Sequence, residues 1–337
     1  MRSGRVLAIA PLSVPEPRPF GRIRSFALKR ETICITGASG LVGSRLARRL
    51  HEKGKNLLIV GRSRERLTRQ FPFAGKCLDW EGLANQPMDD VSAIVNLAGA
   101  SVMAEKWTPA YKAKMMASRI NATKACVELC KADPELDLLN ASAISAYGFY
   151  LEDGHAFTED DVARRFGKET FLQNLIDAWE DATGPAIAAG ARVVPLRLGV
   201  VFTPDDAVLR LFARLFGLFM GGPVGTGRQV MSWISVEDLV SALIFLLEHR
   251  DITGPVNLVS PGACQNREFA RAMGRALGRP SVVRTPGFLI KTLMGQMGDE
   301  LVLHGQRVTP KKLQDAGFVF EHPEISGYLR KTYQSRR

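Results

Sequence analysis

The chain has 337 residues, of which 46% are apolar and 23% charged, a balance that argues for a folded protein with a full core and against a disordered one. Its formal net charge of +11 is partly local, because residues 1–30 hold seven Arg or Lys against a single acid, Glu16. No basic helix with interleaved aromatics follows, which argues against a nucleic-acid partner, and no apolar run of about eighteen residues is present, which argues against a membrane-spanning helix.

Residues 1–30 are rich in Arg and Pro and end where a clean strand pattern begins. They read as a basic extension: either an organellar presequence, bound for an organelle matrix, or the upstream extension of a bacterial, cytoplasmic chain. From there, apolar runs and helical periodicities alternate. A strand at 32–36, a helix at 41–53 and a strand at 56–60 form a βαβ unit. Further strands are expected at 93–98, 136–141, 193–198 and 256–259, with helices around 107–132 and 171–189. Strands separated by helices predict an α/β fold, a Rossmann-type doubly wound parallel sheet over residues 31–203, completed by parts of 228–260. After residue 204 the pieces shorten: a helix at 208–220, a Gly/Pro loop at 221–227, a helix at 236–249, and short helices at 288–297 and 310–316. They predict a smaller, mixed substrate lobe over residues 204–337.

The five cysteines, Cys34, Cys77, Cys126, Cys130 and Cys264, are scattered and lack the spacing of zinc or redox pairs. Cys126 and Cys130 share a helix face, where two buried small hydrophobes are favoured over a metal site.

The segment Thr36-Gly37-Ala38-Ser39-Gly40-Leu41-Val42-Gly43 stands directly after the strand and directly before a helix with Leu41, Val42, Leu46 and Leu50 on one side. In that context Gly37 permits a tight turn, Gly40 lets backbone amides approach a pyrophosphate, and Gly43 lets the helix lie close to the sheet. The helix N-terminus supplies positive potential. At the end of the second strand, where NAD-binding chains carry an acid for the ribose hydroxyl, the sequence reads Gly61-Arg62-Ser63-Arg64. The missing carboxylate and the guanidinium of Arg62 favour NADP(H) over NAD(H), unless Arg62 only points into solvent. Leu97, Ala98 and Gly99 leave room for the cofactor at the carboxyl edge of the sheet. Asp79 and Trp80 are placed to reach the adenine, with core packing as the other reading of Trp80.

Taken together, these residues resemble an extended short-chain dehydrogenase/reductase, and more narrowly the epimerase-like NADP-binding branch with a small C-terminal domain of unknown function. The resemblance covers residues 32–330. It rests on the glycine segment, Asn96 to Gly99, Ser118-Arg119 with Asn121 and Thr123, and Trp179-Glu180. It continues through Leu196 to Val201, Gly221 to Gln229, Trp233-Ile234, Val259-Ser260-Pro261, Asn266 with Glu268-Phe269-Ala270, and Gly305 to Val308 with Pro310. It implies cofactor contacts that include Ser63, Asn121 and Leu198, a substrate cleft lined by Gln229 and Trp233, and a homodimer. For Trp233, core packing is the equal alternative.

The resemblance also implies Ser142 and Tyr147 nearest the chemistry, with a half-buried core tyrosine as the alternative for Tyr147. The chain departs from the pattern here. It has Ala146-Tyr147-Gly148 where the family carries two adjacent tyrosines, and no tyrosine is followed four residues later by lysine. Without a cation beside it, a tyrosine near its reference pKa of about 10 is a poor base at neutral pH. The expected function is an NADP(H)-dependent oxidoreductase or epimerase acting on an unknown small molecule. The alternative is an NADPH-binding regulatory protein that has lost its proton-transfer groups.

Overall fold

The computed structural model describes residues 30–148, 155–161, 170–204 and 207–334, so the basic extension lies outside the described residues. β1 (Thr32–Thr36) is buried along its whole length, as a β-branched run in the middle of a parallel sheet must be. After it come α1 (Leu41–Glu52), β2 (Asn56–Gly61), α2 (Arg64–Gln70), β3 (Lys76–Asp79), α3 (Trp80–Ala84) and β4 (Val91–Asn96). α4 (Pro109–Ala132) leads to β5 (Asp137–Ala143), β6 (Ala156–Phe157), α5 (Phe171–Asp181), α6 (Gly184–Ala188) and β7 (Val193–Leu198). Then follow β8 (Val200–Phe202), α7 (Ala207–Gly217), β9 (Val230–Met231), β10 (Trp233–Ser235), α8 (Val236–Glu248), β11 (Val256–Leu258), β12 (Cys264–Gln265) and α9 (Asn266–Leu277). The chain ends through α10 (Gly287–Met294), α11 (Gln296–Gly298), a π-helical turn at Asp299–Leu303, β13 (Arg307–Val308), α12 (Lys311–Asp315) and α13 (Ile325–Gln334).

Seven of the strands form one parallel sheet in the order β11-β7-β5-β4-β1-β2-β3. The chain winds from β1 outward to β3, then crosses back and winds the other way from β4. The reversal leaves a crevice at the carboxyl ends of β1 and β4, where ligands of doubly wound sheets bind. Strand alternation sets the two layers. Ile33 and Ile35 face Leu46 and Leu50 of α1 and Leu239 and Leu243 of α8, whereas Cys34 faces Cys126, Val127 and Cys130 of α4. All five cysteines are buried thiols, and burial pushes Cys34 and Cys130 up to about 12. No described helix is long and apolar enough to cross a membrane.

Several boundaries differ from the periodicity. The expected helix over 171–189 is two helices, α5 and α6, and the run over 288–297 is broken at Gly295, whose φ of +58° ends α10. The helix expected from Trp107 starts at Pro109, because Thr108 caps it by accepting the Tyr111 amide at 3.1 Å. Leu41 does not join the buried stripe of α1: it is 39% exposed, and the buried positions are Gly43, Leu46, Ala47 and Leu50. β3 and the two-residue strands have too few residues for a period to register.

Behind the crevice lies a polar network that is wholly enclosed. Thr36, the last residue of β1, donates through Oγ1 to Asn96 Oδ1 at the end of β4 (2.5 Å). Asn96 Nδ2 donates to Asn140 Oδ1 of β5 (2.6 Å) and to Thr123 Oγ1 of α4 (3.1 Å). Thr123 passes its proton to Asn140 Oδ1 (3.0 Å) and accepts from Trp179 Nε1 of α5 (3.0 Å). Three strands and two helices thus meet in one set of saturated hydrogen bonds, at residues with zero exposure in Thr36, Asn96, Thr123 and Asn140. A satisfied network of this kind rigidifies its surroundings, and a broken one is costly.

Asn96→Leu should therefore destabilise the fold by about 2–4 kcal/mol, since it leaves the Thr36 hydroxyl and the Ala98 amide without their acceptor and removes one bond each from Thr123 and Asn140. Trp179→Phe removes a single donor and should cost about 1–2 kcal/mol by the same reasoning. Urea denaturation followed by circular dichroism reads both, and equal costs would sink this ordering.

Candidate functional site

The turn between β1 and α1 is shaped by two glycines that admit no side chain. Gly37 has φ +68°, and a Cβ there would stand 2.5 Å from the Leu97 carbonyl oxygen and 2.7 Å from the Ala98 nitrogen. A Cβ on Gly43 would stand 2.6 Å from the Gly37 oxygen and 2.7 Å from Ala38 Cα, so α1 lies directly on the turn. Gly40 is less constrained, with Gly37 O at 3.2 Å from its would-be Cβ. Ala38 is buried beneath the turn, while Ser39, Gly40 and Leu41 are exposed and Val42 is half-buried.

Helix capping then separates α1 from its neighbours. Side chains cap α2, α3, α4, α5 and α8, through Ser63, Asp79, Thr108, Thr170 and Ser235. α1 has Gly40 at its N-cap, no side-chain cap and no acid in its first turn. Its leading amides are open to the crevice, the arrangement that receives a phosphate.

On one side of the turn, β2 ends at Gly61 and hands on to Arg62, which is exposed and makes no ion pair with a described residue. Ser63 accepts the Arg66 amide at 3.3 Å and donates to Glu65 Oε2 at 2.8 Å. Asp79 lies opposite Gly61 in the register of β2 and β3, and its Oδ1 accepts the Gly82 amide at 2.8 Å, capping α3. Trp80 is half-buried and packs against the core face that holds Leu58, Val60 and Leu83. Asn121 is exposed on α4, one turn past Ser118, whose hydroxyl accepts the Ala100 amide at 3.0 Å.

On the other side, Leu97, Ala143 and Leu198, at the exits of β4, β5 and β7, pack over Ile176 and Trp179 of α5. Ser142 stands here opposite Arg197 in the β5–β7 register, and its Oγ donates to Glu180 Oε1. Arg197 grips the same carboxylate with two bonds, Nε to Oε1 at 3.0 Å and Nη2 to Oε2 at 2.8 Å. Burial alone would lower the Arg197 pKa, but the hydrogen bonds and charge of Glu180 outweigh it and hold the guanidinium above its ordinary value. The ring of Tyr147 lies 4.8 Å from the Arg197 Cζ and is stacked on Phe157.

Tyr147 itself has no exposed surface, and its hydroxyl donates to Asn257 Oδ1 at 2.8 Å. Burial pushes its pKa above the usual tyrosine value despite Arg197. It is a core tyrosine with its tip satisfied, fully rather than half buried. α5 carries no lysine and turns Leu172, Gln173, Leu175, Ile176 and Trp179 inward.

The two residues expected at a substrate cleft are also enclosed. Trp233 has zero exposure, donates through Nε1 to Gly262 O at 2.9 Å, and belongs to the core of the second lobe with Phe202 and Phe269. Gln229 is 5% exposed and ties Val224 O (3.1 Å) to Val302 O (3.2 Å), so it holds the Gly/Pro loop rather than facing the crevice. The structure adds Glu180 and Arg197, which sequence motifs marked without a role. It also adds Glu300, whose carboxylate accepts the Phe171 and Leu172 amides at 3.3 and 2.9 Å and so seats the C-terminal lobe on the start of α5.

Two family models match the chain: an NAD dependent epimerase/dehydratase family over residues 33–258 and a domain of unknown function over residues 285–332. An epimerase family protein of Mycobacterium leprae is 35% identical over 90% of this chain and 96% of its own length. A chloroplastic epimerase family protein of Arabidopsis thaliana is 31% identical over 98% of this chain and 95% of its own. Among solved structures, the human epimerase family protein SDR39U1 with NADPH superposes with a TM-score of 0.78 at 26% identity, covering 90% of this chain and 99% of that one.

Gly37→Ala should lose dinucleotide binding and destabilise the fold by more than about 2 kcal/mol, through its φ and its collision with Leu97. Gly54→Ala is the matched control, with φ +74° and nothing within 4 Å, and should cost only about 1 kcal/mol while binding is kept. Equal effects of the two on binding, measured by fluorescence titration, would remove the close approach as the reason for Gly37.

Proposed function

The chain belongs to the NAD dependent epimerase/dehydratase family, and from that premise we propose that it binds NADP(H) and is an oxidoreductase or epimerase of extended short-chain type acting on a small molecule. The observation that carries the reading is the open N-terminus of α1 beneath a turn that only glycine can form, with Arg62, which pairs with no described residue, one strand away. The residues fit the cofactor. The α1 amides would hold the pyrophosphate, Arg62 the 2′-phosphate, and Leu97 and Leu198 the apolar bed of the nicotinamide, which supplies a hydride when bound. The NADPH in the human relative's structure supports the same choice of coenzyme.

Proton transfer in this reading does not run through Tyr147, whose hydroxyl is enclosed and bonded to Asn257. Ser142 donates its hydroxyl to Glu180, and Arg197 binds both oxygens of the same carboxylate, so these groups are engaged with one another rather than with a ligand. That observation favours a second reading, a protein that holds NADPH and uses its occupancy to bias the C-terminal lobe, which Glu300 links to α5.

Stereospecific transfer of deuterium from 4-deuterated NADPH to carbonyl compounds or nucleotide sugars separates the two. Transfer supports the enzyme; tight binding with no transfer, together with NADPH-dependent hydrogen exchange in residues 285–332, supports the regulator. Arg62→Ala should weaken NADPH about 10–100-fold and leave NADH within about twofold, as one charge-assisted contact is lost. Tyr147→Phe should cost about 1–2 kcal/mol of stability without altering NADPH affinity; a large affinity loss would return Tyr147 to the site.

A further inference from the structure

Arg119, on α4, is 8% exposed and faces no carboxylate among the described residues. Its Nη1 donates to the carbonyl oxygens of Ala100 (3.0 Å) and Met115 (3.1 Å), and the guanidinium lies over the Trp179 ring with Cζ 4.9 Å from the centroid. Nε is enclosed and has no acceptor, and Nη2 donates to no described residue. Two carbonyls and an aromatic face do not neutralise a cation, and a buried charge without a counter-ion is costly. The other arginines buried beside this sheet show the contrast: Arg192 is paired with Asp137 and Arg197 with Glu180. Burial pulls the Arg119 pKa down to about 10.

The position of this cation explains the cost. It lies directly under Gly99, where a Cβ would stand 3.3 Å from Cζ and 3.4 Å from Nε, and Gly99 is exposed at the exit of β4. Two residues earlier, Leu97 touches Gly37 of the phosphate turn. β1 has β2 on one side and β4 on the other, so Arg62, which follows β2, and Gly99, which follows β4 and covers Arg119, flank the turn. A side chain at residue 99 would press on the guanidinium; glycine lets the chain leaving β4 lie close over it.

We propose that Arg119 is a phosphate-binding residue whose Nη2, the guanidinium nitrogen that is neither enclosed nor bonded to a described residue, donates to the pyrophosphate of the bound dinucleotide, opposite the α1 amides. The inference rests on the dinucleotide reading of the crevice. It assigns the diphosphate two kinds of donor, helix amides from α1 and a guanidinium from α4, and leaves the 2′-phosphate to Arg62. A guanidinium N–H forms a charge-assisted hydrogen bond with a phosphate oxygen, and the ligand supplies the counter-ion that the described residues omit.

The test compares NADPH with adenosine 2′-monophosphate, which keeps the 2′-phosphate and lacks the diphosphate. Arg119→Met should weaken NADPH about 10–100-fold and leave the monophosphate within about twofold, with Arg119→Lys intermediate. An equal loss for both ligands, or none for NADPH, overturns the proposal, the first because it marks a purely structural role. Should Arg119→Met not fold, the 15N-labelled wild-type chain decides: the Nε–Hε resonance of Arg119 should move on adding NADPH and stay still on adding the monophosphate. If it stays still with NADPH but moves when uridine 5′-diphosphate is added to the NADPH-saturated protein, the guanidinium serves a substrate diphosphate and the dinucleotide assignment is overturned. Wild-type protein that binds neither NADPH nor the monophosphate would instead sink the reading of the crevice itself.

Discussion

The architecture turns on a single crowded point, where the backbone leaving β1 and the backbone leaving β4 pass so closely that the space of one Cβ is already taken by the Leu97 carbonyl. One residue back on each strand, Thr36 and Asn96 are joined by a hydrogen bond that no water reaches. The contact and the bond together hold the phosphate turn at a fixed height above the sheet. Because Asn96 also reaches Asn140 and Thr123, and Thr123 reaches Trp179, the turn is connected to β5, α4 and α5, the elements that form the rest of the crevice. Preorganisation of this kind lets backbone amides act on a ligand without paying to order them at the moment of binding.

Three arginines near the crevice show how burial and pairing divide the work. Arg197 is buried and bound by both oxygens of Glu180, which fixes β7 to α5. Arg62 is exposed and has no ion pair among the described residues, so water solvates it cheaply until an anion arrives. Arg119 is buried with no carboxylate partner among the described residues, the one arrangement of the three that a protein alone does not stabilise. Their charges are identical. Their roles follow from what surrounds them.

The C-terminal lobe is attached through backbone amides as much as through apolar contact. Glu300 receives the first amides of α5, Asp238 receives those of Glu321 and His322 at 2.7 and 2.9 Å, and Ser232 accepts the Val308 amide at 2.9 Å. Each carboxylate is buried, so each bond forms in a medium where charge-assisted hydrogen bonds are strong. Movement of this lobe relative to α5 would have to break the Glu300 bonds, and movement relative to α8 those of Asp238.

Much of the fold was legible in the order of residues. Alternation of strand and helix patterns gave the parallel sheet, and a glycine turn set between strand and helix gave the position of the crevice, because both depend on local periodicity and on backbone angles that only glycine adopts freely. Arg62 was legible for the same reason, since its place at a strand end follows from counting. Side-chain burial was not. Tyr147 and Trp233 look like site residues in one dimension, and only the packing of Phe157, Asn257, Phe202 and Gly262 around them shows that they have no surface to offer. Likewise Ser142 meets Glu180 and Arg197 across 38 and 55 residues of chain, and Arg119 slides beneath Gly99 from α4. The sequence by itself determined where a dinucleotide could lie; the tertiary structure alone decided which charges face it, because pairing and burial depend on neighbours that are remote along the chain.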